Sequence, residues 1–364
     1  MSGKTGLALT ADVCTERRRL SILRAVQDTP LGSGEETLEF RLLNEFQRDF
    51  PFVPRPFEII AEDLGVSETS VIERLRRLQA LGCIGRVGAV FAPRRIGVST
   101  LAALAAQPEW LESIAARVGA HPEVNHNYER AHGYNLWFVV TAADAGHLGR
   151  VLGEIEAETG CAVISLPLVE EFHIDLGFDL NGGPKRFSDA RRVDVSPSPI
   201  LSALERRVTS ALETGLEIVP KPFEALARRA ESSEDQVLAL LKHWRAGRVL
   251  KRFGVVVRHR ELGFRANAMV VWDIPDERIN ELGMRLAREP GVTLCYRRER
   301  QLPRWRYNLY CMIHGAEPTQ VESHIDSLHG RLKLGAYPRA VLFSTRRFKQ
   351  CGARYAAVTE HSGG

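Results

Sequence analysis

Residues 124–138 read Val-Asn-His-Asn-Tyr-Glu-Arg-Ala-His-Gly-Tyr-Asn-Leu-Trp-Phe, a run dense in side chains that move protons or grip anions. His126 and His132 carry the imidazoles suited to general acid–base work near neutral pH. They stand six residues apart, and an even spacing puts both on one face of a strand. Tyr128, Arg130 and Tyr134 share that parity as long as the strand stays regular through Gly133. One polar face would then aim two acids and a guanidinium at one pocket, where Arg130 suits bidentate carboxylate binding. Strand cores seldom hold so many polar groups without a ligand. Asn135 either holds a carboxylate or locks a turn, and Trp137 either stacks on a ligand or fills the core. His121, beside Pro122, is either a further ligand contact or a helix-end residue.

A second segment, residues 292–310, half repeats the first. Tyr296 and Arg298 answer Tyr128 and Arg130, and Tyr307 and Asn308 answer Tyr134 and Asn135. Arg297 adjoins the pair, and Arg300, Arg304 and Arg306 add positive charge. Trp305 and Tyr310 supply flat faces for stacking. The histidines are not repeated: Leu294 and Cys295 replace His126 and Asn127, and about five residues are inserted before Tyr307. Either the two pockets are inequivalent, or each draws residues from both halves.

Elements that position these residues repeat as well. Arg55 to Gly97 aligns without a gap on Lys221 to Gly263, with about 14 of 43 positions identical, among them Arg86/Arg252 and Gly88/Gly254. Pro56 and Pro222 suit a first helical turn, and Ser67 suits the cap of the next helix. Helix, helix-turn-helix and short strands at 84–91 and 249–257 predict a winged helix-turn-helix in each half. The pattern then alternates β, α, β, β, α, β, with strands expected at 98–106, 123–131, 134–141 and 162–172, and again at 265–274, 292–300, 306–314 and 339–348. This predicts an α+β fold, a tandem duplication of a winged helix-turn-helix domain and a ferredoxin-like domain. The expected boundaries are an N-terminal extension (1–34), winged helices at 35–96 and 200–262, ferredoxin-like domains at 97–180 and 263–355, a linker (181–199) and a tail (356–364).

Charge divides between the halves. Residues 1–190 hold 19 Lys/Arg against 26 Asp/Glu (net −7), and residues 191–364 hold 30 against 19 (net +11). A basic half suits an anionic partner, nucleic acid or a small polycarboxylate, although a solvated basic face has the same composition. The six cysteines show neither a CxxC pair nor zinc-like spacing. No apolar run approaches a membrane span, so the expectation is a cytoplasmic, reduced, soluble protein.

The paired architecture resembles the Lrp/AsnC family of transcription regulators. Against DNA binding, the recognition helices would open on Ser67-Glu68 and Ser233-Glu234-Asp235, whose carboxylates repel phosphate. The helix-turn-helix is expected to serve packing or dimerisation. The run from His126 to Phe138, with the stretch from Tyr296 to His314, resembles the siroheme decarboxylases of the haem d1 and alternative haem pathways, which share this architecture. The first half looks like their D-type subunit and the second like the L-type, fused in one chain.

That resemblance implies a non-oxidative carboxy-lyase removing the C12 and C18 acetate carboxyls of siroheme to give 12,18-didecarboxysiroheme. It implies His126, His132 and Arg130 as catalytic residues. Substrate contacts would come from His121, Tyr128, Tyr134, Asn135, Trp137, Tyr296, Arg297, Arg298, Trp305, Tyr307 and Asn308. The iron tetrapyrrole is then substrate, with no cofactor and no separate metal site, although one histidine could ligate its iron. Further decarboxylase subunits and a homo-oligomer are the implied protein partners. A haem- or amino-acid-responsive regulator, or a non-catalytic tetrapyrrole carrier, are the competing readings.

Overall fold

The computed structural model describes residues 37–174, 191–192, 200–258, 266–315 and 317–355. The expected N-terminal extension, the tail at 356–364 and all of the linker except Arg191 and Arg192 lie outside these. The first half runs α1 (Leu38–Asn44), α2 (Pro56–Leu64), α3 (Glu68–Ala80), β1 (Ile84–Phe91), β2 (Val98–Leu104), α4 (Leu111–Ala120), β3 (Val124–Arg130), β4 (Leu136–Ala142), α5 (Ala145–Thr159) and β5 (Ile164–Ile174). After β6 (Arg191–Arg192), the second half runs α6 (Ala203–Leu212), α7 (Pro222–Arg229), α8 (Glu234–Ala246), β7 (Leu250–Val257), β8 (Ala266–Trp272), α9 (Ile279–Ala287), β9 (Val292–Arg298), β10 (Leu309–Gly315), α10 (Pro318–Arg331) and β11 (Arg339–Gln350).

Local chemistry sets the helix starts. Pro56 and Pro222 open α2 and α7. Ser67 Oγ accepts the Ser70 N–H at the head of α3. Ser233 and Gln236 cap α8 reciprocally. The apolar faces of the two three-helix units pack into one core, in which Phe57, Leu75, Val208, Phe223, Leu241 and Trp244 belong to a single cluster. Phe52 joins the units edge-on, 6.0 Å from Phe223 and 5.1 Å from Phe253.

The wings differ from expectation. Each half contributes one strand instead of a hairpin: β1 pairs antiparallel with β7, with Gly88 opposite Gly254. In the first half the chain turns straight from β1 into β2 through residues 92–97, which leaves no length for a return strand. The unpaired edge of β1 is therefore satisfied by its counterpart in the other half.

Within each half the sheet order is ferredoxin-like: β5-β2-β4-β3 and β11-β8-β10-β9. The last strand of each unit then outgrows its own sheet. β5 pairs with β2 up to Pro167 and with β9 from Leu168. Likewise, β11 pairs with β8 up to Phe343 and with β3 from Ser344. These crossings close the eight strands into one ring. Strand alternation then defines an outer face under the helices and an inner face between the two sheets. Ala102, Leu104, Val124 and Phe138 pack outward with α4 and α5. Leu101, Trp137, Leu166, Val271, Tyr310 and Met312 pack inward. Among the described residues, no helix is long and apolar enough to cross a membrane.

Candidate active site

The inner face is where β3 delivers its polar side chains. His126 lies opposite Val139 and Tyr128 opposite Trp137, so these two, with Arg130, alternate inward. Asn127 serves the other side, while the bulge leaves Asn125 beside His126. Asn127 Nδ2 donates to the Ala115 carbonyl at 2.9 Å, tying β3 to α4. Asn125 Nδ2 donates to Thr141 Oγ1 at 2.8 Å, which turns its Oδ1 toward His126 Nδ1 at 2.5 Å. A register shift between Val124 and His126 lets these neighbours meet. In this amide orientation His126 keeps its proton on Nδ1, and Nε2 is the position that can take a second. Burial, and secondarily the Arg86 charge, pushes the His126 pKa down to about 4. Its ring lies 6.2 Å from that of Tyr128, nearly parallel to it.

His132 does not continue this face. β3 ends at Arg130, and His132 sits in the turn before β4, so the parity expected through Gly133 breaks there. His132 Nδ1 accepts the Tyr134 N–H at 3.0 Å, leaving Nε2 to carry the proton. Burial lowers its pKa as well, so at neutral pH its role is that of a neutral hydrogen-bond donor.

Two arginines repeat one arrangement. Arg130 Nη1 donates to the Leu342 carbonyl at 2.9 Å, and Arg298 Nη1 donates to the Leu166 carbonyl at 2.6 Å. Each therefore reaches across to the crossing strand, β11 or β5. Arg130 lies 5.9 Å from the Tyr128 ring, and Arg298 lies 4.7 Å from the Tyr296 ring. Neither Nε has a partner. Arg130 is buried, and no carboxylate among the described residues pairs with it. Burial brings its pKa down to about 10.

Aromatic rings pack together on the inner face. The insertion before Tyr307 carries Trp305 across to the first half, 5.0 Å from Trp137, 5.4 Å from His132 and 5.9 Å from Tyr134. Gln301 anchors it by accepting the Ser165 N–H at 2.7 Å. Trp305 Nε1 donates to the Tyr310 hydroxyl at 2.7 Å, and Tyr307 lies edge-on at 5.0 Å. Trp137 Nε1 donates to the Tyr134 carbonyl, which makes Trp137 a buried member of this cluster. Tyr296 stacks on Tyr310 at 5.6 Å. The interior thus combines flat apolar faces, cationic donors without an anion and two imidazoles, a set suited to a planar polycarboxylate.

Other expected contacts lie elsewhere. Arg297 follows Tyr296 by one residue and so points away from the interior, pairing with Asp276 at 2.9 Å. Arg300 and Arg306 pair with Asp273. Much of the second half's arginine cluster is therefore an ion-pair network outside the pocket. His121 ends α4 and faces Glu158 at 3.1 Å. Asn135 locks a turn, bonding both the N–H and the carbonyl of Ala106, and Asn308 does the same for Ile274. Arg86, which stands close enough to depress the His126 pKa, was absent from the expected site. Its trace in the sequence was the identity with Arg252 in the repeat.

The model of the siroheme decarboxylase NirDL-like HTH domain matches residues 39–84 and 205–250, and that of the AsnC-like ligand binding domain matches residues 95–173 and 261–349. The siroheme decarboxylase NirDL subunit of Paracoccus denitrificans is 43% identical over 89% of this chain and 98% of its own length. The NirD subunit of the siroheme decarboxylase of Pseudomonas aeruginosa is 50% identical over 40% of this chain and 97% of its own length. A crystal structure of the siroheme decarboxylase NirDL in complex with an iron-uroporphyrin III analogue aligns at 27% identity with a TM-score of 0.64, covering 87% of this chain and 94% of that one.

Proposed function

The chain belongs to the siroheme decarboxylase NirDL family and is a carboxy-lyase, and we propose that it converts the C12 and C18 acetates of siroheme to methyl groups. The observation that carries the site assignment is Arg130, a buried guanidinium with no acidic partner among the described residues, on the same inner face of β3 as His126 and Tyr128. A buried cation left unpaired is costly by several kcal/mol, and a ligand carboxylate removes that cost. Arg298 repeats the arrangement from the second half.

Each decarboxylation breaks the bond between the acetate methylene and its carboxylate. Carbon dioxide departs, the electron pair remains on the methylene carbon with the macrocycle as sink, and one proton completes the methyl group. No electrons are gained or lost overall, so no redox cofactor is needed. We assign the proton to His126. Its Nδ1–H stays bonded to Asn125 while Nε2 gains and releases a proton. Burial and Arg86 keep His126 neutral, and the carboxylates of bound siroheme would raise its pKa toward the working range. We assign His132 Nε2–H to holding a carboxylate and the aromatic cluster, Trp305 included, to the macrocycle face. Because Leu294 replaces His126 in the second half, proton transfer is expected at the first-half strand. A cytoplasmic setting and a homo-oligomeric assembly belong to the same reading.

Anaerobic incubation with siroheme, with product mass recorded, tests the proposal. Loss of one or two carbon dioxide units is expected, and an unchanged tetrapyrrole would sink it. Arg130→Gln should weaken binding of iron uroporphyrin III by about 2 kcal/mol or more, roughly thirtyfold, in an absorbance titration.

A further inference from the structure

We propose that Arg86, on the strand ribbon shared by the two helix-turn-helix units, is a substrate-positioning residue that takes a peripheral carboxylate of the tetrapyrrole beside His126. The inference rests on the decarboxylase reading and extends it to a unit outside the barrel.

Arg86 is held in a slot built from glycines. A Cβ at Gly215 would stand 2.8 Å from Arg86 Cβ, and one at Gly352 would stand 2.9 Å from its Nη1. Gly215 has φ +87°, so a side chain there is strained on backbone grounds as well. Within the slot, Nη2 donates to the Ala89 carbonyl at 3.1 Å, and Nε has no partner. No carboxylate among the described residues pairs with Arg86. Glu213, close by, instead accepts the Tyr355 N–H at 2.8 Å. The ionisable groups that face the guanidinium are the Tyr355 phenol, the Cys351 thiol and the His126 imidazole. Burial lowers the Arg86 pKa and pushes Tyr355 up to about 12. The slot thus holds a largely desolvated cation with no carboxylate among the described residues to balance it.

A chain of contacts ties this slot to the reaction site. Gly352 lies against the guanidinium, Cys351 N donates to the Asn125 carbonyl at 2.8 Å, and Asn125 Oδ1 holds His126. Gln350, one residue earlier, lies opposite His126 in the register of β11 and β3. His126 and Arg130 stand four residues apart on β3, about 13 Å along an extended strand. Guanidinium groups at the two ends would grip opposite edges of one macrocycle. A carboxylate on Arg86 would also offset the charge that adds to burial in lowering the His126 pKa, so binding and proton loading would be coupled.

The test is an absorbance titration with iron uroporphyrin III of the full chain, wild type against Arg86→Gln and Arg86→Lys. Arg86→Gln should bind about tenfold or more weakly, with Arg86→Lys between it and wild type. In ligand-free Arg86→Gln, the His126 imidazole should titrate at higher pH than in wild type, which reports the nearness of the Arg86 charge, while the intermediate affinity of Arg86→Lys separates carboxylate binding from a purely structural role. Hydrogen exchange of wild type should slow at residues 84–91 and 350–355 on ligand binding, a readout that does not depend on a variant folding. Unchanged affinity in Arg86→Gln, or no protection of those segments, overturns the proposal. A wild type that binds no iron uroporphyrin overturns the decarboxylase reading itself.

Discussion

His126 carries two opposing demands. A proton donor must be charged at some point in its cycle, yet burial and Arg86 hold this imidazole neutral down to about pH 4. A folded-state pKa below the unfolded value of about 6.5 gives stability that is fully present above pH 6.5 and is lost as pH falls toward 4. The loss attributable to His126 should approach about 3 kcal/mol at the bottom of that window. Denaturant midpoints of wild type and His126→Gln across pH 7 to 4 check this: the variant should lack the slope. The types of these residues were legible in the sequence, and so was the inward parity of His126, Tyr128 and Arg130. The parity of His132 was not, because a strand pattern carries no mark of where the ladder stops. Arg297 and Arg298 differ by one residue and end on opposite faces, which strand alternation alone would have separated.

At the scale of elements, the repeated asparagines prove to be turn locks. Asn308 satisfies both polar groups of the Ile274 backbone and is buried. Asn308→Ala leaves the Ile274 N–H unpaired, while the carbonyl keeps Arg300 Nη2 at 2.6 Å, and should cost about 1–3 kcal/mol in stability, measured by chemical denaturation, with tetrapyrrole affinity less affected. Asn135→Ala, at the less buried site, should cost less. Helix starts and strand spans were readable to within a few residues because prolines, capping serines and apolar alternation are local signals. The wing was not, because a lone strand's partner is chosen by what its edge meets in three dimensions. Nor did the insertion before Tyr307 disclose that Trp305 crosses into the other half.

At the scale of the whole molecule, duplication has produced one body. The two helix-turn-helix units share a core, and β5 and β11 each pair in both sheets. Neither half has a closed sheet alone, so thermal unfolding should show one cooperative calorimetric transition, with two separable transitions contradicting this. Fusion also makes the interior asymmetric: guanidiniums and tyrosines come from both halves, whereas His126 has Leu294 as its counterpart in the second. The central claim is that this interior replaces carbon dioxide by a proton supplied through His126. Its most direct test is anaerobic turnover of siroheme in D2O by wild type and His126→Ala, with product mass and deuterium content recorded. The account predicts one deuteron in the product per carbon dioxide lost, and a rate about 100-fold or more lower in His126→Ala with tetrapyrrole still bound. Carbon dioxide loss without deuterium uptake, or undiminished turnover in His126→Ala, would contradict it.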